Sequence, residues 1–135
     1  MDVGGATVGG LPPAARALAA GFDEVERALL LVQQRADAFV ALPGGVGTLE
    51  ELVEQLTWVQ LGRHRKPVLI ADVGGFWRPL LSLFAHMRDS GFIRRDTEVH
   101  YLVSEKIEDI VPMLRKAAEF VARDGAAAQQ LDNRL

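Results

Sequence analysis

Apolar positions along the chain recur with two different periods. From Asp23 to Gln34 they share one helical face (Val25, Ala28, Leu29, Val32), with Asp23 and Glu24 in the first turn, where acidic side chains suit the helix dipole. Ala36 to Leu42 is instead a short continuous apolar run, stopped by Pro43-Gly44-Gly45. Its length, its Phe and Val, and its abrupt end predict a buried strand. The helical rhythm returns from Thr48 to Gly62 through Leu49, Leu52, Val53, Leu56 and Val59, and Gly62 is the predicted stop. Pro67 to Val73 reads as a second buried strand ended by Gly74-Gly75, Trp77 to Asp89 as a helix stopped near Gly91, and Tyr101-Leu102-Val103 as a third short strand. Ile107, Ile110, Val111, Leu114, Ala117, Ala118 and Val121 carry a last helical stripe, which Pro112 either begins or kinks.

Strands alternating with helices predict an α/β fold, a Rossmann-like parallel sheet with flanking helices. The expected organisation is a single domain over residues 1–123, with a patternless, disordered tail over 124–135. At the other end, Gly4-Gly5 and Gly9-Gly10 read as loop, and Pro12-Pro13 introduces a short helix over Ala14 to Ala20.

Composition narrows the function classes. The 135 residues carry 49% hydrophobic and 24% charged side chains, enough to bury a core without staples. A net charge of −3 disfavours a nucleic-acid binder or a polybasic membrane binder. There is no cysteine, so a disulfide framework, a thiolate metal site and a cysteine nucleophile are excluded. His64, His86 and His100 stand far apart without i,i+4 spacing. No metal and no cofactor are therefore expected. No apolar run approaches the roughly 18 residues that span a bilayer. The first twenty residues have no basic leader before an apolar stretch, so a cytoplasmic location is expected.

The chemistry concentrates in Leu42-Pro43-Gly44-Gly45-Val46-Gly47-Thr48-Leu49-Glu50-Glu51, which joins a predicted strand to a helix N-terminus. Ligands of open α/β sheets bind at such junctions. The glycines let backbone N–H groups approach an anion, the helix dipole adds positive potential, and Thr48 offers a hydroxyl, so a phosphate fits. The loop is neither a Walker A nor a GxGxxG sequence. Thr48-Leu49-Glu50-Glu51 also matches a capping box, with Thr48 as N-cap and Glu51 at N3, in which Glu51 only satisfies backbone groups. Against that, a carboxylate beside a phosphate site suggests work on the non-phosphate part of a ligand. Glu51, Gln55, Trp58 and Gly62 share one face of the helix, fit to line a pocket or an interface.

Pro43 to Glu51 matches the PGGxGTxxE motif, and the chain resembles the LONELY GUY (LOG) family. Ala36-Asp37-Ala38-Phe39, the run from Thr57 to Pro67 and Gly75 to Leu81 agree with the same family, so the similarity covers roughly Val25 to Ala118. The resemblance implies a Rossmann-type homodimer that hydrolyses the N-glycosidic bond of cytokinin riboside 5′-monophosphates, or of AMP, to free base and ribose 5-phosphate. By position it makes Gly44, Gly45, Val46, Gly47 and Thr48 the substrate-binding loop, with Glu50 beside them, and Glu51 the catalytic carboxylate. Such a carboxylate can stabilise an oxocarbenium-like transition state or orient water. Members are also described as possible lysine decarboxylases, but Lys66, Lys106 and Lys116 read as solvated lysines rather than as anchors for pyridoxal phosphate.

The family pattern has a catalytic Arg on the preceding helix. Counted back from Pro43 without gaps, that position falls on Ala28; a one-residue insertion before Ala36 brings Arg27 onto it. The resemblance also implies an N-terminally truncated member, because the family's first strands and GGGxxGxMG loop have no counterpart in Gly4-Gly5 or Gly9-Gly10. A non-catalytic nucleotide-binding protein, or a degenerate family member in which the loop is only a turn, stays open beside the enzyme.

Overall fold

The computed structural model describes residues 24, 27, 31 and 33–132. The glycine pairs near the N-terminus and the helix expected over Ala14 to Ala20 lie outside the described residues. The chain forms two compact units, residues 1–36 and 37–135. In the first, Glu24, Arg27, Leu31 and residues 33–35 are helical, in line with the predicted helix.

The second unit is a three-layer α/β arrangement. In order it contains β1 (Phe39–Ala41), α1 (Val46–Gln60), β2 (Val68–Ala71), a 3₁₀ turn (Val73–Gly75), α2 (Arg78–Asp89), a second 3₁₀ turn (Arg95–Thr97), β3 (Leu102–Ser104) and α3 (Ile107–Asp132). The strands are all parallel in the order β1-β2-β3, with Phe39 opposite Val68 and Leu69 opposite Leu102.

All four residues of β2 are buried, and their alternation divides the core. Val68 and Ile70 pack with Ala41, Leu52, Leu56 and Trp77, beneath α1 and α2. Leu69 and Ala71 face the other way, against Ile110, Met113 and Leu114 of α3. Each fully buried Leu or Ile is worth roughly 1.5–3 kcal/mol, so this strand is where burial concentrates. A parallel sheet covered on both faces reads as an unbroken apolar run, which is why the strands were visible without alternation.

Both α1 and α2 end as expected, on a left-handed glycine that closes a Schellman motif. Gly62 (φ +70°) and Arg63 donate to the Val59 and Trp58 carbonyls at 3.0 and 2.9 Å. Gly91 (φ +79°) and Phe92 donate to the Arg88 and Met87 carbonyls at 3.0 and 2.9 Å.

Several boundaries differ from the sequence reading. Strands β1 and β2 are shorter than their apolar runs, and β3 sits one residue later than predicted. The last helix starts at Ile107, so Pro112 lies inside it. There it removes one bond, to the Glu108 carbonyl, while Ile110, Met113 and Leu114 hold the helix to the sheet. The same helix runs on to Asp132, so residues 124–132 are helical, not patternless chain. Asp124 pairs there with Arg65, an exposed contact worth under about 1 kcal/mol.

Asp72, at the end of β2, was read as part of an apolar strand. It is 2% exposed, and its Oδ1 accepts the Trp77 N–H at 2.7 Å just ahead of α2. Its own N–H donates to the Ser104 carbonyl at 2.8 Å, extending the β2–β3 ladder. Removing the carboxylate leaves the Trp77 N–H buried and unpaired. Asp72→Ala is therefore expected to cost about 1–3 kcal/mol in urea denaturation, and Asp72→Asn, which keeps an acceptor, clearly less.

Candidate active site

Because the strands are parallel, their carboxyl ends share one edge of the sheet, and the loop from Leu42 to Gly45 leaves β1 at that edge. Helix α1 begins at Val46 with Gly45 as its N-cap and no side-chain cap. The capping box is thus not formed, because the helix starts two residues before Thr48. Thr48 becomes the third helical residue, and Glu51 lies beyond the first turn, where no orphan N–H remains for it to satisfy. The first backbone bond of the helix runs from the Leu49 N–H to the Gly45 carbonyl at 3.1 Å. The N–H groups of Val46, Gly47 and Thr48 therefore have no acceptor within the helix, at the positive end of its dipole.

The glycines of the loop are not equivalent. A Cβ on Gly44 would overlap Oγ1 of Thr48 and come within 3.0 Å of its Cβ, so the Thr48 hydroxyl is seated on the Gly44 backbone. A Cβ on Gly45 or Gly47 would meet nothing within 4 Å. The fold itself requires glycine at Gly44; at Gly45 and Gly47 the missing Cβ leaves open space in front of the helix N-terminus.

Thr48, Glu51 and Gln55 project from one side of α1 towards β1. With Phe39, Val40, Ala41, Leu52 and Val68 they line a crevice of about 80 Å³. Glu50 is exposed and does not line it, and Val46 is 82% exposed beside the loop. Arg27 lies in the first unit, where it is helical and exposed. Among the described residues no hydrogen bond or ion pair fixes the Glu51 carboxylate, and no group of three His, Asp or Glu could hold a metal ion. None of the lysines lines the crevice; Lys66 precedes β2 at the opposite edge of the sheet, and Lys106 and Lys116 are exposed. No Schiff-base lysine is thus offered to a pyridoxal cofactor beside this loop.

The polar face predicted on α1 is closed at its lower end by Gln55, whose partner across the Gly62 turn the sequence did not indicate. Gln55 is 4% exposed and bonded through Oε1 to His64 Nε2 at 3.0 Å. Nδ1 of His64 accepts the Lys66 N–H at 3.1 Å, which assigns the ring proton to Nε2. The ring also lies against Phe39 (5.5 Å between centroids) and meets Trp58 edge-on (6.4 Å). The two partners stand nine residues apart across the Gly62 turn, where no helical period relates them.

The sequence profile of the family described as "Possible lysine decarboxylase" matches residues 15–114, most of the chain. The chain belongs to this family. Among curated relatives, it is 35% identical over 125 residues to the cytokinin riboside 5′-monophosphate phosphoribohydrolase of Rhodococcoides fascians, covering 85% of this chain and 63% of that protein. It is 46% identical over 93 residues to the phosphoribohydrolase LOG1 of Arabidopsis thaliana, covering 63% of this chain and 43% of that one. It is 57% identical over 61 residues to LOG of Oryza sativa subsp. japonica, covering 45% and 25%. This possible lysine decarboxylase family member thus spans less than two thirds of the length of these relatives.

Burial, and then the charge of Lys66, lower the pKa of His64 from its ordinary 6.5. A histidine whose folded pKa is depressed contributes stability above the unfolded value and loses it as pH falls below about 6.5. Urea denaturation at stepped pH is expected to show a steeper loss of stability towards pH 5 in wild type than in His64→Gln. Steric separation of the glycines gives a second expectation in the same assay. Gly44→Ala should cost about 1–3 kcal/mol through the Thr48 clash. Gly47→Ala, a better helix former facing open space, should be neutral or stabilising by up to about 1 kcal/mol.

Proposed function

We propose that this chain hydrolyses the N-glycosidic bond of nucleoside 5′-monophosphates, AMP or a cytokinin riboside 5′-monophosphate, releasing the free base and ribose 5-phosphate. The observation that carries the reading is the start of α1: three backbone N–H groups without acceptors, opposite glycines that the fold does not need, one turn from a carboxylate with no structural partner. The names of the relatives agree with it.

In this reading the 5′-phosphate sits on Gly44, Gly45, Val46, Gly47 and Thr48, held by backbone N–H groups, the dipole and the Thr48 hydroxyl. Glu51 addresses the ribose. The C1′–N bond breaks with its electron pair leaving on the base nitrogen, and positive charge develops at C1′ and the ring oxygen. The Glu51 carboxylate stabilises that charge and orients the water whose oxygen bonds to C1′; a proton passes to the departing base. Glu50 is the neighbouring acid of the motif, and Arg27 is the arginine that would meet the substrate from the preceding helix. The working form is a homodimer in the cytoplasm. Exposed apolar side chains support the association: Val46 by the loop, and Val53, Leu83 and Phe92 around a groove of about 370 Å³ between α1 and α2.

Chromatography of AMP and isopentenyladenosine monophosphate reactions tests the proposal. Wild type is expected to release free base, and Glu51→Gln to release it at least about 100-fold more slowly. Since Glu51 caps nothing, the variant should keep its stability within about 0.5 kcal/mol. Equal rates in the two proteins contradict the reading. Binding of AMP without release by wild type leaves a nucleotide-binding protein instead.

A further inference from the structure

His64 touches two walls of the crevice that Glu51 lines, and it does so from outside the glycine loop. Its Nε2–H donates to Gln55, and its ring lies against Phe39. Gln55 and Phe39 line the crevice together with Thr48 and Glu51. Gln55 is 96% buried by its 4% exposure, so its carboxamide oxygen has no bulk water to turn to if the histidine is lost. The other ring nitrogen is tied to the Lys66 backbone, immediately ahead of β2. The imidazole is therefore anchored on the β2 side and ties to α1 through Gln55 and to β1 through Phe39. Glu51 stands one helical turn from Gln55 on the same side of α1, and nothing among the described residues holds its carboxylate directly. Its location depends on where the α1 backbone lies relative to β1.

We propose that His64 is a positioning residue for Glu51: through Gln55 and Phe39 it sets the spacing between α1 and β1 that keeps the Glu51 carboxylate in the crevice. The inference rests on the reading of Glu51 as the carboxylate that acts on the nucleotide.

Three variants separate positioning from mere support. His64→Gln places an amide N–H near the Nε2 position and keeps the bond to Gln55. His64→Asn keeps an acceptor near Nδ1 for Lys66 and loses that bond. Gln55→Leu removes the acceptor from the other side. With AMP as substrate, His64→Asn and Gln55→Leu are expected to lower kcat about tenfold with KM changed less than about twofold, because the phosphate loop is untouched. His64→Gln should stay within about twofold of wild type, and the double variant His64→Asn/Gln55→Leu should be no worse than either single change. Equal losses in His64→Gln and His64→Asn, or losses additive in the double variant, overturn the route through Gln55. The ¹³C resonance of the Glu51 carboxyl supplies a readout independent of turnover. It should move in His64→Asn and hold in His64→Gln; a resonance unmoved in His64→Asn overturns the proposal. If wild type releases no base yet the resonance moves as expected, the hydrolytic reading fails and the positioning stands.

Discussion

Burial of β2 on both faces is the constraint from which the rest follows. Leu69 and Ile70 are fully buried neighbours that point in opposite directions, so the strand needs a helical layer on each side. Helices α1 and α2 cover one face, as two crossovers of the same hand between strands in the order 1-2-3 require, and α3 covers the other. The connections are then forced to leave from one edge of the sheet. That edge receives the glycine loop after β1, the Asp72 turn after β2 and Ser104 at the end of β3. The candidate site follows from that topology, at the loop whose glycines leave space in front of the helix donors.

That loop is the one after β1. Most helix starts are closed by a Ser, Thr, Asp or Asn side chain. Here the N-cap is Gly45, which has none, and the Thr48 hydroxyl is seated on Gly44. Helix α2 likewise has no side-chain cap, and the buried carboxylate of Asp72 accepts the N–H of its N-cap residue, Trp77. In front of α1, the positions of Gly45 and Gly47 leave open space. Arg78, at the start of α2, reaches Glu105 at 3.5 Å, an exposed contact that adds little stability, and the buried Asp72 at 3.9 Å.

Much of this architecture was legible in the residues. The stripes through Leu52 and Leu56 and through Ile110 and Leu114 marked helices because those positions do face the sheet. Gly62 and Gly91 marked their ends because a left-handed residue closes a Schellman motif at each. What misled was local chemistry that the backbone did not use. Thr48-x-x-Glu51 has the composition of a capping box, but with the helix starting at Val46 the Thr is already inside it. Pro112 suggested a start or a kink, and the helix starts earlier, at Ile107, with Pro112 inside it. The Gln55–His64 bond was beyond reach, because the Gly62 turn brings together residues that no period connects. Asp72 was hidden inside an apolar run, its role set by a turn that only the fold defines. The motif itself, Pro43 to Glu51, was readable because it is contiguous, and so was the family.

The account turns on whether the unspent N–H groups of α1 hold a phosphate. The most direct measurement is the amide ¹H–¹⁵N shifts of Val46, Gly47 and Thr48 during parallel titrations with AMP and with adenosine. The account predicts saturable shifts at these residues with AMP and none with adenosine. Amides unmoved by AMP, or moved equally by the nucleoside without its phosphate, contradict it.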